Sequence, residues 1–586
     1  MFQLSLNLSN GGREGRRNSS LSYRALTRAF DANSSRLYNR LSYRKVFNAF
    51  SKPFAAVTLL AFLFVGCGGS NDDETRGNCK AGFDCKVSFY DANLDFNGSI
   101  SVPINSVINI AQLKNDLDLN ATALYLASST TDRIDETSYK VNKNVNFYAI
   151  PKVYEIWTET NLNAAHDHLD QNRSYIMFNN INLTGATLDA SAGWKPIGSY
   201  YLTGTGINPF TAIFNGNGYK ITNLWINRPT NPVGLFSHIN NAKIRNLGVE
   251  INSGKGGVRG GDRVGGIAGQ VENNSSITNC YSTGDVGETS SYSYSVGGIA
   301  GYVDNNSSIT DSYSTGNVSG KYEHVGGIAG YVNNNSSITN SYSTGDVSAR
   351  GEVGGIAGNV YNNSSITNSY STGDVSATST GDIGGIAGDV GYSSTITNSY
   401  STANVSGTSA SYVGGIAGNV HRSSTIANSY STGNVSVSGT SNGHVGGIAG
   451  ATRYSSSITN SYSTGNVSGT SYVGGIAGDI DSSTIKNNAT INQKISGSST
   501  VNRIVGYIYS GTSENNFALN DILGSFSKAS VLANNGTSKS IAELKLQSTY
   551  KSGLGWKFGN DKDNPWVWEA FGGYSYPTLY WQTVAP

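Results

Sequence analysis

VGGIAG, residues 264 to 269, decides how this chain is read, because it returns almost unchanged seven more times. The first glycine of each copy falls at Gly265, Gly297, Gly326, Gly354, Gly384, Gly414, Gly446 and Gly474, a spacing of 28 to 32 residues that averages about 30. Each copy is followed by a second block such as ITNSYSTGDV at 338 to 347. A unit of this length cannot bury a core alone, so the units must stack into a solenoid.

Composition agrees. The 586 residues include 72 glycines, 10 prolines and only 13% charged side chains, which points to an all-β chain rather than ordinary globules. Abundant tyrosine and periodic Val, Ile and Tyr positions argue against disorder. The formal net charge of +1 hides a split. Residues 1 to 66 hold ten Lys/Arg against Glu14 and Asp31, which leaves 30 basic and 37 acidic residues in the remainder, a net charge of about −7. Phosphate binding needs the opposite sign, so nucleic acid is not an expected partner.

The basic stretch ends at Lys52, and FAAVTLLAFLFVG follows at 54 to 66, an apolar run too short to span a bilayer comfortably. Residues 1 to 66 therefore read as a basic prefix and secretion signal. So long a prefix suggests that translation starts downstream of Met1. Phe64-Val65-Gly66-Cys67 resembles the lipobox of bacterial lipoproteins, with Phe64 where that family usually has Leu. The resemblance implies lipidation at Cys67, export, and anchoring to a bacterial membrane, with the outer membrane or cell surface as the expected location. Residues 67 to 85 form the tether. Cys79 and Cys85 flank a five-residue loop, and a local disulfide is expected between them. Cys280 occupies a repeat column otherwise filled by serine and reads as an inert buried thiol.

From 86 to 153 the runs KVSFYD, SISVPI and VNFYAI, bounded by turn residues, predict a small β domain. Its layout weakly resembles the β-grasp modules of bacterial surface proteins. Thr158 to Leu169 predicts a short amphipathic helix, which with the first coils makes up an N-terminal cap over 154 to 232. The run FNGNGYKITNL at 214 to 224, then VGLF with IRNLGV, then the repeats, resembles bacterial surface proteins carrying the GLUG motif. That family implies a right-handed parallel β-helix, and some members are IgA-cleaving metallopeptidases. The expected fold is therefore a single-stranded right-handed parallel β-helix of about 10 coils over 233 to 520, nearly 50 Å at about 4.8 Å per coil. An aromatic module at 521 to 586 is expected to cap its open end.

Stacking the units aligns Asn279, Asn340, Asn368, Asn398, Asn428 and Asn460, an expected ladder at a corner where asparagine tolerates a left-handed bend. After the corner the in/out phase shifts. The two serines of each NSYS block then face inward, and Tyr281, Tyr313, Tyr342, Tyr370, Tyr400, Tyr430 and Tyr462 face outward as an aromatic strip. Such a strip serves either as a track for a glycan or protein partner or as a purely structural stack. The broken acidic column Asp285, Asp346 and Asp374 reads as turn geometry. His166 and His168 read as surface residues.

No HExxH, GxSxG or GDSGG pattern appears, and GGIAG lacks the strand-to-helix context of a dinucleotide site. No catalytic residue, metal ligand or cofactor is expected. The sequence reads as a non-catalytic surface adhesin or stalk, with a membrane as partner through the lipid and a glycan or surface protein as ligand. The alternative is a carbohydrate-active enzyme on the same scaffold. Acidic clusters beside the strands would favour the enzyme, and a flat neutral wall with a tyrosine strip would favour binding.

Overall fold

The computed structural model describes residues 84–110, 124–126, 138–140, 143–171, 173–185, 187–199, 208–229, 232–288, 295–322, 324–439, 443–524, 526, 532–568 and 576–583. Cys67, Cys79, the basic prefix and the signal segment lie outside them.

Each coil turns through five short strands, exemplified by Val325–Gly326, Ala329–Val332, Ser337–Thr339, Tyr342–Ser343 and Val347–Ala349. Every strand pairs in parallel with its copy one coil on, as Val325 does with Val353, Ser337 with Ser365 and Tyr342 with Tyr370. Repetition of this register builds five parallel sheets of nine, ten, ten, thirteen and thirteen strands. The fold is an all-β parallel solenoid of about ten coils. Val353, Ile356, Ala357, Val360, Ile366 and Val375 of one coil are all fully buried. Burial of each larger aliphatic side chain contributes roughly 1.5–3 kcal/mol, and its copy above and below completes the packing.

The glycines of VGG are required by a thin cross-section. A Cβ on Gly354 would lie 2.6 Å from the Ala387 Cα of the next coil, and one on Gly355 would lie 2.6 Å from the Ser371 Cβ across the interior. A Cβ on the first glycine would also strike Ala357 O of its own coil, and one on the second would strike Gly385 O of the next coil, so both glycines admit backbone and the second also admits the opposite wall.

The asparagine column lies at a corner in which every member is left-handed, with φ between 50° and 52° from Asn279 to Asn460. Asn340 Nδ2 donates to Asp311 Oδ1 at 3.0 Å, and Asn368 Nδ2 donates to Asn340 Oδ1 at 3.1 Å. Replacing Asn340 by Val should cost about 1–2 kcal/mol, because a β-branched residue fits the left-handed region poorly. Asn340→Gly should lose only the ladder bonds. Equal denaturation midpoints for the two variants would remove the backbone explanation.

Beyond the corner both serines point inward. Ser341 and Ser343 are each 1% exposed, and Ser341 Oγ donates to Thr339 O at 2.8 Å. Cys280 takes the same inward place, and burial pushes its thiol up to about 12, which leaves it inert. The acidic column makes turns: Asp374 N donates to Asp346 Oδ1, and Asn404 N donates to Asp374 Oδ1.

At the N-terminal end, β1 (Asp84–Tyr90) pairs antiparallel with β2 (Phe96–Pro103) and parallel with β4 (Val145–Tyr148), while β3 (Tyr125–Leu126) runs antiparallel to β4. Cys85 is fully buried at the start of β1. Asn215 Nδ2 donates to Leu94 O at 2.6 Å, and Arg245 pairs with Asp95, which ties this sheet to the first coils. A helix, α1 (Glu159–Asn163), is capped by Thr158 and continues as a 3₁₀ turn. His166 on that turn stacks against Trp194 and is not a free surface residue; burial lowers its pKa to about 4. The backbone of His168 lies in the same turn.

The C-terminal module does more than close the open end. Its strands Phe558–Asp561, Asn564–Val567 and Thr578–Leu579 form a separate sheet. Its aromatic side chains reach back along the coils as far as Asn368, where Tyr580 Oη accepts from Asn368 Nδ2 at 3.3 Å.

Candidate functional site

The tyrosine strip is a regular stack. From Tyr281 through Tyr462 successive ring centroids lie 4.8–5.1 Å apart, with planes within 9° of parallel, as the coil spacing dictates. It is not an open surface track along its whole length, as the in/out phase alone implies. Trp581 stacks on Tyr370 and Tyr400, and Trp566 packs on Tyr430 and Tyr462. Gln582 Nε2 donates to Tyr430 Oη at 2.7 Å, and Tyr462 Oη donates to Pro577 O at 2.8 Å. Tyr430 and Tyr462 are consequently buried, while Tyr281, Tyr313 and Tyr342 remain half-buried. The reason is chemical: a row of aromatic rings at the repeat spacing is a ready apolar surface, and the chain supplies its own tryptophans to cover it.

A second face differs in kind. It flanks VGGIAG, where the residue before the first valine and the residue after the last glycine both project from one wall. The second of these columns runs in register through Gln270, Tyr302, Tyr331, Asn359, Asp389, Asn419, Ala451 and Asp479. The first contains Arg263, Ser295, His324, Glu352, Asp382, Tyr412, His444 and Tyr472. Coils that are otherwise near copies therefore differ here at almost every step, Tyr302 and Tyr331 being the exception. An outward position under no constraint also varies, but the outward positions of the SIT strands from Ser276 to Thr459 stay Ser or Thr except at Ala427, and the varied positions on this wall are charged, aromatic and largely sheltered.

Two clusters stand on the wall. In one, the Asp389 carboxylate accepts from Tyr361 Oη and lies 3.2 Å from His421 Nε2. Burial, then the neighbouring carboxylates of Asp389 and Glu352, hold Asp382 well above the usual carboxylate range, and Asn419 hydrogen-bonds to it. In the other, the buried Asp479 accepts from Arg453 Nη2 at 2.9 Å and pairs with His444, while Arg453 Nη1 donates to Tyr412 Oη at 2.6 Å. The first cluster is acceptor-rich; the second is charge-balanced. On the rim, Tyr392, Arg422 and Tyr454 replace asparagine at left-handed positions, with φ of 56°, 54° and 54°. Bulky residues are uncommon there, and such conformations are often kept for a site. Tyr392 and Tyr454 are 39% and 55% exposed, and the Arg422 guanidinium lies 4.4 Å from the Tyr392 ring centroid.

Strand-side acids and an aromatic strip are thus both present, so neither expected wall describes the molecule alone. The polar wall was missed in the sequence because it has no motif. Comparing the two positions bordering each VGGIAG would have exposed it, since these positions break an otherwise uniform repeat. Among the described residues, no group of three or more His, Cys, Asp or Glu is arranged to hold a metal ion.

Comparison with known proteins places this geometry. The GLUG motif matches at residues 260–287, 292–319, 322–348, 349–376 and 441–468. The β-solenoid thus carries GLUG motifs over these segments. It is 35% identical over 96 residues to a provisionally named Gly-rich membrane protein of Evansella cellulosilytica, a match covering 16% of this chain and 10% of that one. The chain therefore spans about a tenth of that relative's length. Among solved structures, similarity is distant. A provisionally assigned immunoglobulin A1 protease from Bacteroides ovatus aligns at 20% identity and TM-score 0.25, over 73% of this chain and 92% of that one. An IgA1 protease aligns at 14% identity and TM-score 0.27, over 81% of this chain and 30% of that one.

Proposed function

We propose that this is an exported, lipid-anchored surface protein whose solenoid acts as a non-catalytic adhesin or stalk, binding a glycan through the polar wall. The observation that carries the reading is the divergence of near-identical coils at the two columns beside VGGIAG, where the scaffold makes no demand for variety. Exposed phenol rings on the same rim suit the flat faces of sugars. The anchor rests on the apolar run at 54 to 66 ending at Cys67. Cys67→Ser should move the protein from the membrane to the soluble fraction and abolish acyl labelling. Unchanged partitioning of that variant would refute lipidation.

The acids Glu352, Asp382 and Asp389 favour a second reading, a carbohydrate-active enzyme. The two separate cleanly on a glycan array followed by product analysis. Retention of an intact glycan supports the adhesin, and new reducing or unsaturated ends, lost in Asp382→Asn, would support the enzyme.

A further inference from the structure

Asp389 is 7% exposed and is flanked in register by Asn359 on one coil and Asn419 on the next. Tyr361 Oη donates to the Asp389 carboxylate. Asn359, paired in parallel register with Asp389, projects from the same side of the sheet into this acidic cluster. It is 3% exposed, yet its Oδ1 has no hydrogen-bond partner, and the Oδ1 of Asn419 has none either. A buried amide oxygen without a donor costs about 1–3 kcal/mol, so the arrangement is expensive unless something completes it. The spare capacity of this cleft consists of acceptors.

We propose that the cleft formed by Asp382, Asp389 and Asn359 receives a protonated amine carried by a glycan. The inference rests on the glycan-binding reading and names its ligand class. An ammonium brings three donors and a positive charge, and so satisfies the amide oxygen and the carboxylates together. A neutral hydroxyl would supply one donor without charge, whereas an ammonium also offsets carboxylate charge beyond the His421 contact that Asp389 already has at 3.2 Å.

The test uses the full chain and two hexasaccharides with one backbone, β-1,4-linked glucosamine and its fully N-acetylated form, read by calorimetry. The free amine should bind on the order of tenfold or more tighter than the acetamide. Asp382→Asn should remove that preference while leaving the melting temperature unchanged or higher at neutral pH, because it replaces an acid whose ionised form is disfavoured by burial and by Asp389 and Glu352. Asn359→Leu should weaken amine binding without loss of fold. Equal affinity for the two hexasaccharides, untouched by Asp382→Asn, would overturn the amine site and leave glycan binding standing. Binding of hexalysine in place of both sugars would overturn the amine-glycan proposal and the glycan reading together. Binding of none of the three probes would overturn the amine site, while the array of other glycans decides the broader reading.

Discussion

Gly354→Ala should destabilise the solenoid by about 3 kcal/mol or more, an effect at the upper end of what a single added methyl does in a packed interior. The added Cβ would meet the Ala387 Cα at 2.6 Å and the Ile386 carbonyl oxygen at 2.7 Å. Neither can move aside as a side chain could, and shifting either separates two coils that share five strand pairings. Gly254→Ala is the control. Its Cβ would meet only Asn252 Oδ1, at 3.2 Å, so its effect should stay within about 0.5 kcal/mol. Because the coils themselves contact only their neighbours, the Gly354 variant should also split chemical denaturation into two transitions once the C-terminal module, which bridges Tyr370 and Tyr400, has come away. A single transition with the midpoint of the Gly254 control would show that the coil spacing is more compliant than close packing allows.

Trp566→Ala should release the C-terminal module and leave the coils folded. The indole is fully buried and stacks on Trp556 at 4.5 Å, against Tyr430 and Tyr462 below. Its removal should cost roughly 3–5 kcal/mol, concentrated in that module because the indole stands at the centre of its packing on Trp556, Tyr430 and Tyr462, although Trp581 and Gln582 also touch the coils. Circular dichroism should keep its β signal, tryptophan emission should shift to the red, and proteolysis should cut after residue 520. Loss of the β signal in step with the fluorescence would mean that the module and the coils unfold together. The same variant uncovers Tyr370 through Tyr462. If the tyrosine strip is a glycan track, binding should rise on release; if the strip is structural, binding should stay the same.

What the residues determine alone is the coil. A repeat of about 30 residues with β-branched positions admits a stacked parallel solution, the left-handed asparagine marks the corner, and the phase shift after it places serines inside and tyrosines outside. These features are local or periodic, so they are readable along one copy and checked by the next. The glycines of VGG are readable as close approaches, but their direction is not, because only the assembled cross-section shows that both face the next coil's backbone and the second also faces the opposite wall. Two features belong to the tertiary structure entirely. Trp581 and Tyr400 are far apart in sequence with no shared pattern, and their stacking follows from a chain reversal that no period encodes. Asp382 and Asp389 flank one copy of VGGIAG and Glu352 precedes the copy before it, and only the parallel register gathers them, with Asn359 and Asn419, into one acceptor-rich cluster.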